Sequence, residues 1–154
     1  MKLLFKVAIR DFYKELESID TLIHYAQGDD SKYTAGINCS SEAELAIYQF
    51  HSVIDYFKKH PARYIRHYIL SSDIPYSPEY ILQVAYLVAS KYISTNQVFI
   101  GVHTNTDNIH AHLIINCVNC FNGTIFSFSQ EEHDSFIHYA KSFNIELECP
   151  TTIK

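Results

Sequence analysis

Apolar positions recur at helical spacing in some stretches of the chain and at strand spacing in others. Leu3 to Ile9 reads as a strand, although its alternation is imperfect. From Phe12 to Gln27 the stripe Leu16, Ile19, Leu22, Ile23 and Ala26 marks one helix face, and Gly28 supplies a stop. A polar loop then leads into a short strand from Thr34 to Cys39. Ser40 or Ser41 caps a helix reaching about Lys59, with Glu44 placed for a capping box from Ser41. Tyr64 to Ser71 is strand-like, and Pro78 suits the first turn of a helix running to about Ser94. Two further strands, Val98 to His103 and one opening at His110, flank the turn-forming residues Thr104 to Ile109. Asn122-Gly123 signals a turn before a last strand at Thr124 to Phe128, and a final helix runs from near Gln130 to Phe143. Hairpin pairs mixed with helices predict an α+β domain, a central antiparallel or mixed sheet with helices packed on it.

The hairpin carries the chemistry. Residues two apart on a strand share a face, so His110 and His112 stand side by side, roughly 6.5–7 Å apart along it. A hairpin returns His103 opposite that pair, and three imidazoles converge as the ligand set of an open metal site. His103 shares its face with Gly101. Val98, Ile100 and Val102 point the other way, with Ala111, Leu113, Ile115 and Cys117 across from them. Gly101 is expected to leave room beneath the imidazoles for close approach by substrate.

Composition narrows the setting. At 154 residues and 47% hydrophobic, the chain suits one domain over 1–154 with a substantial core. No stretch approaches the ~20 apolar residues of a membrane span, and the start lacks a signal peptide's apolar region, so a cytoplasmic protein with no membrane insertion is expected. Cys39, Cys117, Cys120 and Cys149 are too few and scattered for a disulfide framework. The Cys117-Val118-Asn119-Cys120 spacing lacks a second ligand pair and reads as incidental. A net charge of -5 argues against sequence-blind adhesion to nucleic acid. Lys58, Lys59, Arg63 and Arg66 form the one evident basic cluster, read equally well as a solvated surface or as a phosphate contact.

These residues resemble the relaxase, or mobilisation nuclease, branch of the HUH endonuclease superfamily, in which two histidines flank a hydrophobic residue. His110-Ala111-His112 fits that pattern and His103 matches the upstream third histidine. Thr106-Asp107-Asn108 resembles the intervening turn, and Asn116 the asparagine often found after the histidine strand. Leu22-Ile23-His24-Tyr25, a polar loop and then Gly36-Ile37-Asn38-Cys39 resemble the nucleophile motif. His67-Tyr68-Ile69-Leu70-Ser71 looks like the middle motif. The three motifs stand in the family's order and span most of the chain.

The resemblance implies site-specific nicking and strand transfer of single-stranded DNA at the origin of transfer of a plasmid or conjugative element. Tyr25 is then the nucleophile, forming a covalent 5′-phosphotyrosine, with His24 the competing candidate because the resemblance also extends to relatives with a histidine nucleophile. His103, His110 and His112 hold one divalent metal ion, manganese or magnesium first and zinc as the alternative. Ser71 contacts DNA near the cleavage point. Where relatives commonly carry an acidic residue this chain has Asn105, which orients a ligand without supplying charge; Asp107 is a candidate to compensate. Accessory DNA-binding proteins and a conjugative coupling protein are the implied partners. Relaxases usually continue into further domains, so the chain also reads as an excised or truncated N-terminal domain. Two alternatives stay open: an HUH replication initiator, and a DNA-binding relaxase-like module with weak or no nuclease activity.

Overall fold

One strand, His110–Asn116 (β5), lies at the centre of the molecule with a neighbour on either side. The computed structural model describes residues 3–8, 11–29, 32–72, 75–104, 109–126, 129–139 and 142. The other strands are Leu3–Ala8 (β1), Thr34–Ile37 (β2), Ile65–Ser72 (β3) and Val98–His103 (β4). Their order across the sheet is β1-β3-β5-β4-β2, and every pairing is antiparallel. Helices cover both faces, so the class is α+β, as expected.

Helices Ser18–Gln27 (α1) and Ala43–Phe57 (α2) pack on one face. α1 buries Ile19, Leu22, Ile23 and Ala26, and α2 buries Ala43, Ala46, Ile47, Phe50 and Ile54. Both series run at three- and four-residue spacing and meet Ile65, Phe99 and Ile114 of the sheet. On the other face lie Pro78–Tyr92 (α3) and residues 130–139 (α4). There Ile81, Val84, Ala85 and Val88 meet Val98, Ile100, Val102, Ala111, Leu113 and Ile115, with Phe136 from α4. The strict alternation of β4 and β5 feeds both cores. Each fully buried Val, Leu, Ile or Phe among them contributes roughly 1.5–3 kcal/mol.

Several element boundaries differ from the sequence expectation, each for a local reason. The first helix does not start at Phe12. Asp11–Lys14 is a 3-10 turn, and the Ser18 hydroxyl donates to the Glu15 carbonyl at 2.7 Å before α1 begins. The break turns Tyr13 into the core and leaves Leu16 38% exposed, off the buried stripe. β2 stops at Ile37 because Asn38 takes a left-handed conformation (φ 55°) and its amide donates to the Ser94 and Asn96 carbonyls.

The Ser41–Glu44 capping box does not form. Glu42 holds the cap position of α2 without a side-chain bond, and the Glu44 carboxylate pairs with His24 instead. The start of α3 matches its reading: the Ser77 hydroxyl accepts from the Tyr80 N–H and Pro78 opens the first turn. The last strand reduces, among the described residues, to a single bridge between Val118 and Ile125. Ser127, Phe128 and Phe143 lie outside the described residues, as does Ile9 at the end of the first expected strand.

Candidate active site

The antiparallel register assembles the site in two cross-strand rows on the face that α1 covers. His103 of β4 pairs with His110 of β5, which pairs with Ser71 of β3. Two residues along, Gly101 pairs with His112, and His112 with Ile69. Directly opposed residues share a face, so the three histidines and Ser71 line one surface. The histidine rings stand 4.4 to 5.3 Å apart by centroid. One nitrogen from each lies within 4.8 Å of the others.

α1 closes the site from above, and glycine permits it. A Cβ on Gly101 would stand 1.8 Å from the Ala26 carbonyl oxygen, so the helix backbone rests directly on β4. The space expected beneath the imidazoles is therefore filled by α1 rather than open to substrate. Gly28 ends the helix at φ 72°, ψ -168°, a combination open essentially to glycine alone. Its N–H bonds the His24 carbonyl at 3.3 Å.

This close approach sets Tyr25, in the last turn of α1, over the cluster. Its ring meets His103 edge-on at 5.1 Å and His112 at 4.9 Å, and the residue remains 53% exposed. Its backbone carbonyl accepts from His103 Nε2 at 2.6 Å, which leaves the lone pair of a neutral ring on Nδ1. His24 faces elsewhere, its Nε2 paired with the Glu44 carboxylate across the α1–α2 contact. Asn105 and Asp107 lie outside the described residues.

Two residues that the sequence reading gave no role, Tyr13 and the first residue of the middle motif, His67, stand behind the cluster. His67, on the same face of β3, places Nε2 2.8 Å from His112 Nδ1. Its own Nδ1 lies 2.8 Å from the Tyr13 hydroxyl. Both are buried, Tyr13 to 3% exposure and His67 to 4%. The alternation Ile65, His67, Ile69, Ser71 puts His67 on the site face, but only once β3 is known to lie beside β5.

The donor set fits a divalent ion. His112 is kept neutral, its pKa pushed down to about 2 by burial first and then by the facing His67, His103 and His110. Its Nε2 is buried and, among the described residues, has no hydrogen-bond partner. A polar atom in that state costs about 1–3 kcal/mol, which a bound cation would relieve. Among the described residues, His103, His110 and His112 are the one group of histidine, cysteine or acidic side chains so clustered. Among the described residues, Cys117 and Cys120 do not join such a group.

Other sequence features resolve into structural parts. Asn116 is fully buried: its amide donates to Gln97 Oε1 and the Phe50 carbonyl, and its Oδ1 accepts from the Val118 N–H. It secures the end of β5 far from the histidines. The basic cluster does not form one patch. Lys58 and Lys59 line a groove with Tyr48 and Tyr64, whereas the Arg66 guanidinium lies over Phe126 beside the opposite core.

The chain matches the family described as relaxase, MobA/VirD2-like, nuclease domain, over residues 23–147. It belongs to that family, and with it to the DNA endonuclease class. A solved structure reported as "Molecular Basis of Vancomycin Resistance Transfer in Staphylococcus aureus" superposes with a TM-score of 0.60 at 13% identity. The match covers 91% of this chain and 89% of the other, and at that identity it establishes the shared fold. No curated protein matches the sequence. Among the described residues, no helix is long and apolar enough to cross a membrane.

Proposed function

We propose that this chain nicks single-stranded DNA at an origin of transfer and keeps the 5′ end on Tyr25 as a phosphotyrosine. The observation that carries the reading is the placement of one half-exposed phenol against His103 and His112 at the mouth of a three-imidazole cluster. Tyr25 Oη forms a bond to the scissile phosphorus while the bond to the 3′ oxygen breaks. The phenol loses its proton and the departing oxygen gains one. The same steps in reverse rejoin a strand.

His103, His110 and His112 would hold the ion, manganese or magnesium first and zinc as the alternative. When bound, a divalent ion supplies Lewis acidity and neutralises charge on the phosphate oxygens. The protein's own contribution is alignment: α1, fixed on Gly101, holds the phenol over the imidazoles. Ser71, in the row of His110 and His103, is placed to touch the DNA backbone. A plasmid or conjugative element as host, work in the cytoplasm, and accessory and coupling proteins as partners follow from the same reading.

The test is adduct formation on labelled single-stranded origin DNA with manganese. Tyr25→Phe should fold and bind manganese but give no DNA–protein adduct, while His24→Ala should retain the adduct. An adduct from Tyr25→Phe that is lost in His24→Ala would reassign the nucleophile. DNA binding by the wild-type chain with neither nicking nor adduct would replace the enzyme reading with a binding module.

A further inference from the structure

We propose that His67 is a positioning residue for His112, with Tyr13 behind it holding both rings in the one tautomeric arrangement that aims His112 Nε2 at the metal site. The inference rests on the reading that His103, His110 and His112 hold a divalent ion. It adds a line of three buried groups that the family match does not assign. Tyr13 Oη lies 2.8 Å from His67 Nδ1, and His67 Nε2 lies 2.8 Å from His112 Nδ1.

Two proton arrangements satisfy those distances, and they have opposite consequences. In the first, His112 Nδ1–H donates to His67 Nε2, and His67 Nδ1–H donates to the Tyr13 oxygen. His112 Nε2 then presents a lone pair to the other two imidazoles and can ligate. In the second, Tyr13 donates to His67, His67 Nε2–H donates to His112 Nδ1, and His112 Nε2 carries the proton. That N–H would point, buried, into the imidazole cluster, where no described residue accepts from it. The first arrangement turns the Tyr13 hydroxyl hydrogen away from His67 and is the one that leaves a lone pair on His112 Nε2, so ligation of an ion selects it. The line is anchored at its far end. Tyr13 sits in the 3-10 turn before α1, and its carbonyl accepts from the Tyr64 N–H at 2.8 Å.

The test compares two substitutions of His67 that differ in accepting power. His67→Phe fills the space but accepts nothing, whereas His67→Gln offers an amide oxygen to His112 Nδ1–H. Manganese affinity measured by calorimetry should fall about 10–100-fold in His67→Phe and return most of the way in His67→Gln. Nitrogen NMR of the metal-free protein should show His112 protonated on Nδ1 in the wild type and in His67→Gln. In His67→Phe that preference should be lost. Tyr13→Phe, which keeps the ring, should shift the His112 tautomer in the same direction and stands in if His67→Phe does not fold. Wild-type affinity and an unchanged His112 tautomer in these variants would overturn the proposal. His110→Ala with His112→Ala serves as the control. Retained manganese binding in that double variant would instead remove the ligand set itself.

Discussion

At the scale of single residues, Gly101 decides where the nucleophile candidate stands. Its missing side chain is the gap that the Ala26 carbonyl fills, and Tyr25 is the preceding residue on that helix. Gly101→Ala should destabilise the protein by about 1–3 kcal/mol through overpacking. It should also lower adduct yield under conditions where the variant remains folded, because α1 must lift away from His103. Denaturant unfolding and adduct assays check the two effects separately; unchanged values in both would mean that α1 does not bear on β4. The histidine trio was legible because strand parity and one short turn sufficed to bring it together. His67 was not, because its role depends on β3 lying next to β5. No local pattern reports a neighbour 45 residues away in the chain.

At the scale of elements, the hairpin β4–β5 is the most faithful copy of its sequence. Both of its faces alternate with period two, and a slip of one residue would have sent the histidines into the α3 core. The amphipathic helices were legible for the same reason, their spacing being set by the helix itself. The start of α1 was not. The residues from Phe12 to Glu17 suit a helix, but Tyr13 finds a buried partner in His67 only if the chain turns more tightly first. The expected capping box failed because Glu44 has a competing partner, His24, on another helix. Asn116 shows an element end held by side-chain bonds rather than propensity. Asn116→Ala would strand Gln97 Oε1 and the Val118 N–H in the interior, so we expect a loss of about 2–4 kcal/mol in urea unfolding. Manganese affinity at the far end of the strand should survive under folding conditions. A cost below about half a kcal/mol would show these bonds to be replaceable by water.

At the scale of the whole molecule, two cores on opposite faces of one sheet enclose groups that titrate late. Burial pushes the thiols of Cys39 and Cys117 up to about 12 from 9.0, and the Tyr68 phenol to about 12 from 10.0. The folded protein thus keeps protons that the unfolded chain releases. Stability from this source is complete below about pH 9 and falls as the pH rises toward 12, by about 1.4 kcal/mol per unit for each group fully engaged. Urea midpoints should hold level from about pH 7 to 8.5 and decline above 9. Cys117→Ala should lower the plateau and flatten the decline. A midpoint that rises through that range would contradict the burial of these groups.

The sheet order has a consequence for how the chain comes into being. Among the strands of the described residues β5 is made last, yet it is the one inserted between β3 and β4. Before it emerges from the ribosome, the other four described strands have two of these pairings open to them, β1 with β3 and β2 with β4, each ribbon marginal alone. Tyr25 is synthesised long before its imidazole neighbours, and a nascent chain that ends short of residue 110 carries the phenol without the cluster. The arrangement therefore arms itself late, in a single closing step, when one histidine-bearing strand joins the two halves.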